Sequence, residues 1–197
     1  MKMRIAIALL VEDELSNRLA SLTLRCRDYG FTWNVLRLPA HISLKQPFMI
    51  NDFERFERYF EKFANHTEPQ YLKLDGFSFW GDEEYGVVVA RIAPSLRLRQ
   101  LHSQLNNELE QEFGETHADF DGDDYEFHLT VAIGAFQADS LPQLENDIAT
   151  WHLDEVAVSS RLAMFVYEES IRPNPLLGVR EYGTYKVLPL GQKSGQL

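Results

Sequence analysis

Apolar positions run almost without a break from Arg4 to Leu10, "RIAIALL", and predict a first strand covered on both faces. The period then changes. Leu15, Leu19, Leu22 and Cys26 recur at helical spacing and lay one apolar stripe along a helix. A short strand at 41–44 follows, then a helix opened by Asn51 or Asp52. Its Phe53, Phe56, Phe60 and Phe63 form an aromatic stripe that reads as core. "YLKLDGFSFW" and "EYGVVVARIA" read as the arms of a hairpin turning at Gly81, Asp82 and Glu83. Pro94 and Ser95 open a third helix with Leu98, Leu101, Leu105, Leu109 and Phe113 inward and Gly114 as its stop. The acidic loop 115–126 leads into the strand "EFHLTVAIG", and Ser140 with Gln143 marks a capping box for a fourth helix. "EVAVSSRLAMFVYEE" and "YGTYKVLPL" are strands again, "SIRPNPLLG" between them is a loop, and residues 191–197 read as a frayed tail.

The two halves of this pattern echo each other: strand, helix, histidine-bearing strand, helix, strand. The prediction is one α+β domain over residues 1–197, bilobal, with two antiparallel-rich sheets and flanking helices related by a pseudo-twofold axis. Such an axis brings the two histidine strands, and whatever they carry, into one cleft.

Composition narrows the function classes. The 197 residues hold 19 Lys and Arg against 30 Asp and Glu, a formal net charge of −11. That excludes an extended nucleic-acid-coating surface, which needs many cations. A nucleotide or an RNA end held by a few local cations remains compatible. Cys26 is the single cysteine, so an internal disulfide and a cysteine-based zinc site are excluded, and a cytoplasmic location is expected. The apolar run from Ile5 to Val11 stops at Glu12, Asp13 and Glu14, unlike a signal peptide. No run approaches the roughly 18 apolar residues of a membrane span, so no membrane partner is expected, and a monomer is.

The chemistry lies in two of the six histidines. "HISL" places His41 two residues before Ser43, and "HLTV" places His128 two residues before Thr130. Alternation in a strand points each imidazole and its hydroxyl the same way. Imidazoles titrate near neutrality and can take or give a proton, while hydroxyls donate to anionic oxygens. Base, acid and two oxygen clamps are a kit for phosphodiester cleavage without a metal. The same alternation turns Lys45 toward the site as an added cation, and Phe48 and Phe136 are candidates for base stacking, with core packing as the other reading. Arg161, Arg172 and Lys186 could form a basic rim.

Other signals carry less. "DFDGDDYEF" lacks the Gly and Glu positions of a calcium loop and reads as a solvated acidic loop. His117 with Asp119, and His152 with Asp154, lack further partners at ligand spacing, so no metal and no cofactor are expected. No phosphate-binding glycine loop or nucleophile elbow is present. Two further readings stand beside the catalytic one: structurally satisfied histidines, and a non-catalytic nucleotide- or partner-binding protein that retains the cleft.

"HISL" and "HLTV" resemble the twin His-x-Thr/Ser-x signatures of the two-histidine (2H) phosphoesterases, the superfamily of 2′,5′ RNA ligase and cyclic-phosphodiesterase proteins. The first motif departs by carrying Ser43 where threonine is common, which keeps the hydroxyl. The resemblance implies a bilobal α+β fold with a pseudo-dyad and hydrolysis of 2′,3′-cyclic phosphates or related nucleotides, in some members RNA-end joining. His41 and His128 would then be the catalytic pair, with Ser43 and Thr130 gripping the phosphate.

Overall fold

A computed structural model describes residues 3–32, 34–82, 84–118, 121–153, 156–167 and 182–191. The "SIRPNPLLG" loop, Asp119, Asp154, Arg172 and residues 192–197 of the expected tail lie outside the described residues. In chain order the elements are β1 (Met3–Leu10), α1 (Asp13–Arg25), β2 (His41–Ile50), α2 (Phe53–His66), β3 (Gln70–Gly81), β4 (Tyr85–Ala93), α3 (Leu96–Phe113), β5 (His128–Ala135), α4 (Leu141–Ala149), β6 (Val156–Ser159), β7 (Arg161–Tyr167) and β8 (Tyr182–Pro189).

The strands form two four-stranded antiparallel sheets, ordered β2-β1-β7-β8 and β5-β4-β3-β6. Each histidine strand is an edge, paired to the central strand of its sheet. Edge position is what lets β2 run through Pro47, well past the short strand expected at 41–44, because a residue without an N–H costs nothing on an open side. The run 155–169, expected as one strand, breaks at Ser160. Its first part joins the β3 edge as β6, and its second crosses to β1 as β7. The third strand of each sheet therefore comes from outside that sheet's own half, which ties the lobes together.

Helix starts follow the sequence signals at two sites. Asp52 accepts from Arg55 N at 3.1 Å, and Ser95 accepts from Leu98 N at 3.1 Å. The capping box at Ser140 does not form. A short 3₁₀ turn, Ala138–Ser140, precedes α4 and turns the Ser140 hydroxyl back to donate to the Gln137 carbonyl at 2.6 Å. Gln143 bonds Asp147 instead.

One contiguous core unites the helix-facing sides of both sheets, with Ile5, Ile7 and Leu9 of β1, Phe56 and Phe60 of α2, Val88 and Ala90 of β4, and Leu105 of α3. Phe56 and Phe60 are fully buried. Truncating either to alanine should cost about 3–5 kcal/mol. The opposite face of the β1 sheet carries a second, smaller cluster built on Ala6, Ala8 and Ala163, with Leu10, Leu38 and Phe165. Alanines there leave room above the sheet, and it is this roomier face that carries the first histidine motif.

Candidate active site

Register places the motif residues. His41 lies opposite Leu10 and Ser43 opposite Ala8, while His128 lies opposite Arg91 and Thr130 opposite Val89. Directly paired residues share a face, so both motifs point away from the main core. The alternation breaks at the same point in each strand. Ile7 faces Lys45 and the next residue, Ala8, faces Ser43, which leaves Leu44 as an extra residue. Val88 faces Ala132 and Val89 faces Thr130, which leaves Val131 extra. Each histidine strand thus carries a β-bulge three residues after its histidine. The burial pattern over the first seven residues of the two strands is identical.

The two bulges are held alike. The Val131 carbonyl accepts from Thr23 of α1 at 2.7 Å, and the Leu44 carbonyl accepts from Asn106 of α3 at 3.3 Å. Helix α1 follows β1 yet packs on β5; α3 follows β4 yet packs on β2. Each half therefore clamps the histidine strand of the other.

The imidazoles are presented the same way. Each Nδ1 lies against the carbonyl two residues earlier, His41 with Pro39 at 2.8 Å and His128 with Glu126 at 2.7 Å. A carbonyl accepts only, so Nδ1 carries the hydrogen and Nε2 of each neutral ring is left to accept. Each ring also meets an aromatic edge from the third strand of its sheet, His41 on Phe165 and His128 on Trp80, both at 4.7 Å between centroids.

A hollow of about 350 Å³ between α1 and the segment before β2 is lined by Ser16, Asn17, Arg37, Pro39, His41 and Thr130. His41 from one sheet and Thr130 from the other thus open on one space. Burial holds both imidazoles below their ordinary value. For His41 the bond to Pro39 opposes this while His128 adds to it. For His128 the Glu126 carbonyl and carboxylate both oppose it. Tyr125 stands between the motifs, its ring 6.2 Å from that of His128. Its buried hydroxyl has no hydrogen-bond partner among the described residues. Burial keeps that hydroxyl protonated, and the neighbouring Ser43 and Gln46 side chains pull the other way.

Two sequence expectations are corrected, those for Lys45 and the acidic loop, while Phe48 and Phe136 take their packing alternative. Lys45 does not face the site, because the Leu44 bulge turns two successive residues to the core side. It is 2% exposed, ion-paired with Asp121 and donating to Asn106 at 2.8 Å. Phe48 and Phe136 are packing residues: Phe48 meets Phe56 edge-on at 5.9 Å, and Phe136 stacks on Phe31 at 5.3 Å. The acidic loop is not wholly solvated, since the buried Asp121 carboxylate accepts from Lys45, Gln46 N and Ala118 N. Among the described residues no three His, Cys, Asp or Glu side chains cluster as a ligand set.

Of the proposed basic rim, Arg161 shares the row of His41 through Leu10 and is held by the Val11 carbonyl and Asp13. Lys186 is committed to Glu57 and Glu61 of α2. Sequence reasoning missed Arg91, directly across from His128. A bulge at Asp75–Gly76 opens the neighbouring strand there, with Gly76 at φ +75°, and the Asp75 carbonyl accepts from Arg91 Nε at 2.9 Å. Only register could have revealed this residue. Phe165 and Trp80 were legible only as apolar strand residues.

Two matched sheets open His41 of one and Thr130 of the other on one hollow, and the family match places the chain in the phosphoesterase- and ligase-type class. The 2′-5′ RNA ligase superfamily model matches residues 11–164, and the chain belongs to that superfamily. Among solved structures it is similar to Escherichia coli LigT complexed with 3′-AMP, with TM-score 0.59 at 14% identity, covering 97% of this chain and 99% of that one. It is similar to TT0787 of Thermus thermophilus, with TM-score 0.61 at 16% identity over 96% and 98% of the two chains. Usb1 of Kluyveromyces marxianus aligns with TM-score 0.51 at 12% identity over 82% and 92%. No curated protein matches the sequence. No described helix is long and apolar enough to cross a membrane.

Proposed function

We propose that this protein opens 2′,3′-cyclic phosphate ends of RNA or small cyclic nucleotides by two-histidine acid–base catalysis. The carrying observation is the matched presentation of His41 and His128, each with Nδ1 tied to a backbone carbonyl and Nε2 left to accept. One Nε2 takes a proton from water as its oxygen attacks phosphorus. The other ring, protonated, gives its proton to the ribose oxygen as the phosphorus–oxygen bond breaks. One water is consumed and a nucleoside monophosphate results. Ser43 and Thr130 donate to the phosphate oxygens as charge builds on them. The same two rings run the step with a ribose hydroxyl in place of water, which is the chemistry of 2′,5′ joining.

The bound 3′-AMP of the similar LigT structure supports the reading, since it puts a nucleotide phosphate on a protein of this fold. The test is turnover of a 2′,3′-cyclic nucleotide by the purified protein in EDTA. His41→Ala and His128→Ala should each lower it at least about a hundredfold with unchanged thermal unfolding. Binding of the nucleotide by the wild type with no product would overturn the catalytic reading in favour of a binding module.

A further inference from the structure

The two sheets match closely near the histidines and part company one step further out. In one, β3 ends at Gly81, immediately after Trp80. In the other, β7 continues past Phe165 to Tyr167, which lies directly opposite Tyr182 of β8. Those two rings sit 5.4 Å apart at 40°, and both rest on the cluster of Ala6, Ala8, Leu38, Ala163 and Phe165. Because Phe165 also carries the edge of the His41 ring, the tyrosine pair continues the floor of the cleft outward from that imidazole.

Arg37 lines the hollow shared by His41 and Thr130, is exposed, and makes no ion pair with a described residue. Tyr85, from the opposite sheet, alternates with Val87 and Val89 onto the cleft face and is 54% exposed. The Tyr182 hydroxyl is pushed up chiefly by burial, with Arg37 opposing the shift and Tyr85 adding to it.

From this asymmetry we infer that Tyr167, Tyr182 and Tyr85, with Arg37, form a nucleobase subsite that stacks the base of a nucleotide whose phosphate lies between His41 and His128. This rests on the nucleotide reading above and deepens it. Flat, half-exposed rings offer a π-face to any base, and a guanidinium without an ion pair among the described residues can stack beside it or pair with an adjacent phosphate. Stacking is tolerant of base identity, so the subsite distinguishes nucleotides from base-free sugar phosphates rather than one base from another.

The experiment is a binding titration, independent of turnover, of 3′-AMP against ribose 3-phosphate. The wild type should bind 3′-AMP more tightly by about 5- to 150-fold, the range expected for one stacked base. Tyr182→Leu should remove most of that advantage and leave ribose 3-phosphate binding unchanged, while Tyr182→Phe keeps it. Tyr182 packs on a cluster, so the exposed Tyr85→Ala serves as a second variant, with a smaller loss in the same direction. Equal wild-type affinity for the two ligands, or loss of both together in the variants, would overturn the subsite. Cyclic-phosphate turnover could persist in that case. Conversely, base-dependent binding without any turnover would keep the subsite and remove the catalytic reading.

Discussion

The Thr23 hydroxyl donates to the Val131 carbonyl at 2.7 Å, and through that bond a helix of one half fixes the bulge beside the histidine of the other. Asn106 does the same for Leu44. Both donors occupy the eleventh position of their helices, α1 and α3. A bulge leaves backbone groups outside the ladder, and a buried carbonyl without a donor is costly. Thr23→Val, close in shape but without the hydroxyl, should therefore lower unfolding free energy by about 1–3 kcal/mol in denaturant titration. Thr23→Ser should recover most of it. If valine is as stable as threonine, the clamp contributes nothing.

Acid–base behaviour follows from the partial burial of both imidazoles. In the free protein His41 and His128 should titrate below 6.5, so both rings are neutral at pH 7. An anionic phosphate between them favours the imidazolium and should raise at least one. Ring NMR titration with and without 3′-AMP reads this directly. The acidic limb of kcat should then lie at higher pH than that of kcat/KM. Titration of either ring above 6.5 in the free protein contradicts the account.

Stability should depend on pH in the same window. Burial lowers His41, His102 and His128 in the folded state, so between the folded values and 6.5 the unfolded chain holds more protons. Unfolding free energy therefore rises with pH across that window; the contribution is complete above 6.5 and is lost as pH falls. Urea midpoints at pH 5.5 and 7.5 measure it, and the acidic one should be lower. His102 stacks on Tyr125 at 4.9 Å outside the hollow, so His102→Phe should flatten part of the slope. A midpoint higher at pH 5.5 would reverse the sign and refute the assignment.

The two hydroxyls should act through the transition state. Removing one donor from an anion clamp typically costs about 10²–10³ in kcat. Ser43→Ala and Thr130→Val are each expected in that range, with the nucleotide Kd moving far less. Ser43→Thr should retain activity, since it keeps the donor. A purely structural role predicts the reverse, with loss of stability and little change in kcat.

Much of this arrangement was legible because local signals and global packing agree. The stripes of Leu15 and Leu19 and of Phe56 and Phe60 announced helices, and the order of elements announced two related halves. What escaped was what depends on register. Period-2 alternation put Lys45 beside His41 and Ser43, and one inserted residue, Leu44, reversed it. The crossing of β7 to the β1 sheet hinges on the single break at Ser160, inside a run that reads as continuous strand. Arg91 reaches the face of His128 only through pairing across strands distant in sequence. The tyrosines of β7 and β8 look like ordinary strand residues until the sheet supplies their neighbours.

Lys45 gains a different role from its actual position. Its ammonium and the Asp121 carboxylate are both almost fully buried, and Asp121 also holds Gln46 N and Ala118 N. The pair fastens the start of the 121–127 segment to β2. That segment supplies Tyr125 and the Glu126 carbonyl that orients His128. Replacing one partner strands the other charge in the interior, so Lys45→Met should destabilise the protein by about 3–5 kcal/mol. A cycle with Asp121→Asn should show strong coupling, because the second change removes the stranded charge. At temperatures where Lys45→Met stays folded, its turnover should fall with kcat while nucleotide binding persists, since the fault lies in the aim of an imidazole. Unchanged stability in Lys45→Met would mean that the two charges are solvated after all.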